Sequence, residues 1–371
     1  MLASLSAAFV AVTLIVASAA SIAPPAAAQA TDSAQRVANA DTASGSSKEE
    51  KRPTRFFDSD AVLAVTLTAN LRELRGDKMT EDAPWRAATV SYAGPDGNTI
   101  AVPAQVRTRG IWRLKNCAFP PLRLNFGREA RESIFDRLDK PKLVNYCRDN
   151  DAYEEYLLQE MQLYRIYSLL TPLSHRARLL HTTYVDSASG QVHATRHAIL
   201  LEEPGEMAKR LGMKMMEMQG AKAQDLEPYH AALVGVFQYL IGNSDWSSRA
   251  LHNAELMLDS TGKYYVVPYD FDFSGAVHAR YATPPPQLPI RSVRQRIYRG
   301  HCAPAEDYAK VFALFKDKKD AIYGLYRDEI GRLLDQKTVE RTLEYFDEFY
   351  EVIESPGAAQ REIVQACLDA Q

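Results

Sequence analysis

The segment Tyr229–Ile241 most restricts how this chain can fold. It is apolar nearly all round, and a helix with that pattern must be buried on every side rather than laid on a surface. It delivers the chain straight into Gly242-Asn243-Ser244-Asp245-Trp246. Two strand-like runs follow, Ala254–Leu258 and Lys263–Val267, separated by the turn chemistry of Asp259-Ser260-Thr261-Gly262. In a hairpin, the residue entering the first strand and the residue leaving the second share the open end. Asn253 and Asp270 are therefore expected to be neighbours, with Asp245 on the loop leading in.

That grouping carries chemistry. Hard oxygen donors from Asn253 and Asp270 suit Mg²⁺ (or Mn²⁺), which keeps one or two carboxylates and takes its other ligands from water and substrate phosphates. Asp245 beside them can accept a proton from an attacking hydroxyl.

Upstream the pattern is mostly β. The expected strands are Ala61–Leu67, Ala88–Tyr92, Val102–Thr108, Leu122–Phe126 and Lys142–Tyr146, with Ala177–Val185 and His197–Leu201 further on. Between them Tyr156, Leu157, Glu160, Met161, Tyr164 and Tyr167 recur at the helical period, giving a helix over Tyr153–Leu170 that Pro172 ends. Glu202-Glu203-Pro204-Gly205 reads as a polar crossing segment. Beyond Glu306 the pattern is amphipathic helix, with Val339, Leu343, Phe346, Tyr350 and Ile353 as a core stripe.

In these motifs the chain resembles the CotH-type secreted kinases and, more distantly, the HipA-type kinases. Pro268-Tyr269-Asp270-Phe271-Asp272 is similar to a Pro-aromatic-Asp-x-Asp metal motif. Gly242–Asp245 with His252-Asn253 is similar to a catalytic loop, and Arg107-Thr108-Arg109-Gly110 to an Arg-Gly element near the nucleotide. The resemblance implies an α+β, two-lobed protein-kinase-like fold, with a β-rich N-terminal lobe and a mostly helical C-terminal lobe. It implies Asp245 as the catalytic residue, Asn253 and Asp270 as metal ligands, and Asp272 on a second metal or the substrate. It pairs Lys142 with Glu160 around the nucleotide phosphates, with Arg123 the rival cation and Glu155 the rival acid, and makes Glu202 and Glu203 the hinge meeting the base. The implied cofactors are Mg²⁺ (or Mn²⁺) and ATP or another nucleotide, and the acceptor is an unknown protein or envelope molecule. No G-x-G-x-x-G loop is present, so phosphate cover must come from elsewhere. The competing expectation is a catalytically inactive kinase-like binding or scaffold protein of the cell envelope.

Composition settles the remaining classes. With 371 residues and a formal net charge of −3, no basic face argues for nucleic acid. The uncharged run Met1–Ala23 and the Ala28-Gln29-Ala30 site read as a signal peptide over residues 1–30, cleaved after Ala30. The product would be periplasmic or secreted, with no membrane span left after cleavage. Residues 31–54 read as a disordered linker, 55–201 as the β-rich region and 202–371 as the helical one. Cys117 with Cys147 is the favoured pair among four cysteines, against buried free thiols. The methionines at 213, 215, 216 and 218 read as packing, and Arg291, Arg294, Arg296 and Arg299 as either a solvated face or an anion-binding strip. No HExxH, G-x-S-x-G or Walker A motif supports a hydrolase.

Overall fold

Seven strands make up the first sheet, the first four alternating buried and more exposed positions. They are β1 (Leu63–Ala69), β2 (Arg86–Ala93), β3 (Thr99–Thr108), β4 (Leu122–Asn125), β5 (Lys142–Val144), β6 (Ala177–Asp186) and β7 (Val192–Leu201). In the computed structural model, which describes residues 54–77 and 83–368, they close into a barrel of order β1-β2-β3-β4-β5-β7-β6. Every neighbouring pair is antiparallel except β1 with β6, where Leu63 lies opposite Leu180 in a parallel ladder. The strand period of two sends Leu67, Val90, Val102, Val106, Leu122, Leu124, Leu143 and Leu200 into one apolar cluster. The expected signal peptide and linker lie outside the described residues, apart from Thr54. Among the described residues no helix is long and apolar enough to cross a membrane.

One part of the wall is buried on both faces. Leu143, Leu180, Ala198 and Leu200 belong to the first cluster, while their neighbours Val144, Leu179, Ile199 and Leu201 belong to a second, helical cluster. Helix α1 (Asp151–Leu170) covers that outer face, capped by Asn150, which accepts from the Tyr153 amide. The all-apolar segment is helix α3 (Pro228–Ile241), with every residue from His230 to Ile241 buried. It stops at Gly242, whose φ is +63°. The Asn243 amide returns to the Gln238 carbonyl at 2.9 Å, and a Cβ at Gly242 would collide with the Tyr345 hydroxyl. Helices α4 (Ala305–Gly324) and α5 (Gln336–Glu354) complete the second cluster, α5 contributing the buried Phe346, Tyr350 and Ile353 of the expected stripe.

A second sheet, ordered β10-β9-β8, consists of β8 (Lys214–Met216), β9 (Ala254–Leu258) and β10 (Tyr264–Pro268). In the hairpin β9–β10, Ala254 lies opposite Pro268. Met213, Met215 and Met216 pack on the second cluster, as filling residues do. Disulfides join Cys117 to Cys147 and Cys302 to Cys367.

The two-lobed kinase-like arrangement is not what the chain adopts. Its class is α+β, but the β-rich part is a closed, mixed seven-stranded barrel rather than an open sheet forming a separate small lobe. The described residues fall within one contact unit, Arg52–Gln371, and the barrel wall is shared between the two apolar clusters. Element order suggested lobes because it says nothing about which strands pair. Closure depends on a β1–β6 contact between segments more than a hundred residues apart in the chain.

The crossing segment also differs from its expected form. Pro204 opens helix α2 (Pro204–Leu211), and Glu203 caps it by accepting from the Gly205 and Glu206 amides. Glu202 is 1% exposed and lies between Arg176 and Arg210, with N–O distances of 2.9 Å to each guanidinium.

Candidate functional site

The hairpin mouth assembles as its register requires. The Tyr269 amide donates to the Asn253 carbonyl at 3.1 Å, extending the ladder by one step and bringing Asn253 and Asp270 to the same end. Both residues are left-handed, at φ +49° and +63°. Asn and Asp tolerate this region better than other side chains, and such conformations persist where the surroundings fix them. The insertion between Asp245 and Asn253 folds back on itself through paired Ser247–His252 backbone hydrogen bonds at 2.9 and 3.0 Å. Asn253 donates its amide hydrogens to the Asp245 carbonyl (2.8 Å) and carboxylate (3.1 Å), leaving Oδ1 as its free coordinating atom. His252 Nε2 lies 2.9 Å from Asp245 Oδ1.

Behind this mouth, α1 presents Glu160 and, one turn later, Tyr164, whose hydroxyl accepts from the Asp270 amide at 2.9 Å. Phe271 is fully buried against Tyr164 and Phe237, between its two flanking aspartates. Glu160 and Asp272 are 1% and 5% exposed. Burial first, and then the Asp272 and Asp270 charges, hold the Glu160 carboxyl well above the usual range, and its Oε1 has no partner. Burial and the Asp270 charge push Asp272 up to about 7, against the pull of Arg113 and a 2.9 Å hydrogen bond from the Tyr281 hydroxyl. Buried acids this crowded call for positive charge.

Cations answer from the barrel. Arg107, Arg123 and Lys142 are successive cross-strand partners on β3, β4 and β5. Beyond the end of β3, Arg109 and Arg113 carry their charge to Asp270 and Asp272. Arg113 also donates to the Asn145 carbonyl at 2.6 Å, whereas Arg109 Nε is buried without a partner. Lys142 lies 4.3 Å above the Tyr269 ring, and its Nζ is 3.8 Å from Glu255.

Lys142 and Glu160 are thus not an ion pair: the acid beside Lys142 is Glu255, while Glu160 sits with Arg113, Asp270 and Asp272. Arg123 is not an alternative to Lys142 but its neighbour, and it reaches Glu203 at 3.9 Å. Glu203 stands at the edge of the cluster and Glu202 outside it. Glu155 accepts from the Asp335 amide and takes no part. Nor do the four arginines form a strip: Arg294 and Arg296 flank the Tyr345 ring, and Arg299 donates to the Ser244 carbonyl.

Three contributors had no role expected from sequence, Arg113, Tyr281 and Glu255, and a fourth, Arg109, had only a place in a motif. Arg109 was visible inside the Arg-Gly element, and Glu255 as an acid within an otherwise apolar strand. Nothing in spacing marks Arg113 or Tyr281, which arrive through tertiary packing.

Among the described residues no three His, Cys, Asp or Glu side chains are grouped so as to hold an ion unaided. Asn253, Asp270 and Asp272 offer oxygen donors of the type Mg²⁺ takes, water and phosphate oxygens commonly completing its shell.

Lys142 gives the cluster a pH signature. Burial, then the Arg109 charge, lower it from 10.5 to about 8. Between those values the unfolded chain binds the extra proton, so the fold gains stability as pH rises through that window. Anion affinity should move the other way, falling above pH 8 by up to about tenfold per unit. Titrating phosphate-ligand affinity from pH 7 to 10 checks this, and Lys142→Arg should flatten the profile. A wild-type profile flat to pH 10 would remove Lys142 from the anion site.

No protein-family model and no curated protein matches the sequence.

Proposed function

We propose that the hairpin mouth is a phosphoryl-transfer site, taking a nucleotide with Mg²⁺ (or Mn²⁺) and passing its terminal phosphoryl group to an acceptor hydroxyl. The observation that carries this is the meeting of two opposed sets of charge. Asn253, Asp270, Asp272 and Glu160, whose Oε1 has no partner, suit a divalent cation, while Arg109, Arg113, Arg123 and Lys142 suit phosphate oxygens. Packing alone gives no reason to bury both sets together.

In this reading Asp245 takes the proton of the acceptor hydroxyl, with His252 at 2.9 Å as its outlet. The acceptor oxygen bonds to the terminal phosphorus, and the bond from that phosphorus to its bridging oxygen breaks. The electron pair leaves on the nucleoside diphosphate. Lys142 and Arg109 balance charge on the transferred group, and bound Mg²⁺ would neutralise the remainder. The likeness to CotH-type kinases contributes only the motif chemistry, since the expected fold is not adopted. Two disulfides are in keeping with export to an oxidising compartment.

Thermal-shift titration with ATP, with Mg²⁺ and with both tests the reading. A ligand at about a hundred times its Kd stabilises by about 2.7 kcal/mol, so the shift should be plain and should require both components. Asp245→Ala should keep that shift and lose about a hundredfold or more in turnover, the usual weight of a general base. Absence of any nucleotide shift would sink this reading in favour of a non-catalytic envelope-binding protein.

A further inference from the structure

The loop that carries Asp245 has another face. Trp246, Ser247 and Arg249 line a cleft of about 420 Å³, completed by Lys222, Arg299 and His301. Three features mark it as a site rather than a crevice. Its lining holds two arginines and a lysine, and no acidic side chain among the described residues. Arg249 and Lys222 are exposed and have no ion-pair partner among the described residues, unlike the arginines at 176, 196, 210 and 296. Two buried polar atoms on the lining side chains, Trp246 Nε1 and His301 Nδ1, are unpartnered. Trp246 is 4% exposed, and a buried indole N–H normally finds an acceptor.

The cleft is also tied to the candidate base. Arg299 lines it while donating to the carbonyl of Ser244, and Arg299 feels the Asp245 charge. Ser248, the next residue but one after Trp246, holds His301 in place through a 2.8 Å hydrogen bond. The lining residue Trp246 directly follows Asp245 in the chain.

We infer that this cleft binds an oxyanion, a phosphate or carboxylate group carried by the acceptor. The transferase would then act on an acidic hydroxyl compound rather than a neutral one. The word acceptor rests on the phosphoryl-transfer reading, whereas the anion site does not. Tetrahedral oxyanions suit guanidinium, ammonium and N–H donors converging from several directions.

The probe is inorganic phosphate, titrated by calorimetry against the whole chain without metal or nucleotide. Millimolar or tighter binding is expected, weakened at least tenfold in the double variant Lys222→Gln, Arg249→Gln. Both positions are exposed, so folding is spared, and the shift with ATP and Mg²⁺ should be unchanged in the variant. No phosphate binding by the wild type overturns the inference. Equal binding by the variant does so too, by placing the anion elsewhere, as on Arg109 and Lys142. Loss of phosphate binding in the variant supports the anion site even where nucleotide binding fails, and in that case only the acceptor assignment falls.

Discussion

Asp270→Asn should abolish metal-dependent nucleotide binding and, in the same molecule, raise the melting temperature of the ligand-free protein. The loss follows from removing a charged oxygen from the metal set, and should cost about a hundredfold or more in affinity. The gain has two sources. The Asp270 charge is one of the forces holding Glu160 and Asp272 above their ordinary range, so its removal relieves like-charge repulsion among buried acids. Position 270 also has φ +63°, a conformation Asn adopts readily. A gain of about 1 kcal/mol would appear as roughly 2–4 °C. Calorimetry of the ligand-free variant and the same titration with ATP and Mg²⁺ read both halves. A variant less stable than wild type would show that the charge Asp270 offers to the buried Arg109 outweighs the repulsion relieved, and full retention of metal-dependent binding would remove it from the site.

Glu202→Ala should be among the most damaging single replacements outside the apolar clusters. Its carboxylate is buried between Arg176 and Arg210 and also accepts from the Arg176 backbone amide at 3.1 Å. Truncation strands two partly buried guanidiniums, and breaking one side of such a network costs about 3–5 kcal/mol. The melting temperature should fall by roughly 10 °C. Affinity for a nucleotide, measured well below the transition, should change little because Glu202 lies outside the cluster. Selective loss of nucleotide binding with normal stability would restore the role expected of Glu202 as a hinge.

These two residues show what the sequence could and could not reveal. Local pattern located every strand of the barrel to within a few residues except β7, which starts five residues before the expected His197. It also placed α1, α3 and the β9–β10 hairpin. The meeting of Asn253 and Asp270 was legible because a hairpin's geometry follows from its own turn. Pairing over long separations was not. Nothing near Lys142 announces Glu255 as its neighbour, and nothing near Glu202 announces Arg176 and Arg210. The Glu-Glu-Pro-Gly stretch looked like a polar crossing segment because polar residues usually face water. A buried ion network is invisible until its partners from other elements are known. The kinase-like architecture failed for the same reason, since order along the chain does not fix whether a sheet stays open.

The parallel ladder between β1 and β6 has a consequence for how this protein comes into being. β1 can meet β2 as soon as both exist, but its other edge stays unpaired until residues beyond Ala177 have been made. A chain emerging from its N-terminus therefore carries an exposed apolar strand edge through more than a hundred residues of synthesis, a window in which wrong pairings compete. Contacts of such long sequence separation also slow the search for the native barrel. Refolding in the test tube should be slow and concentration-sensitive. A holding chaperone that shields β1 is the kind of helper this topology would reward.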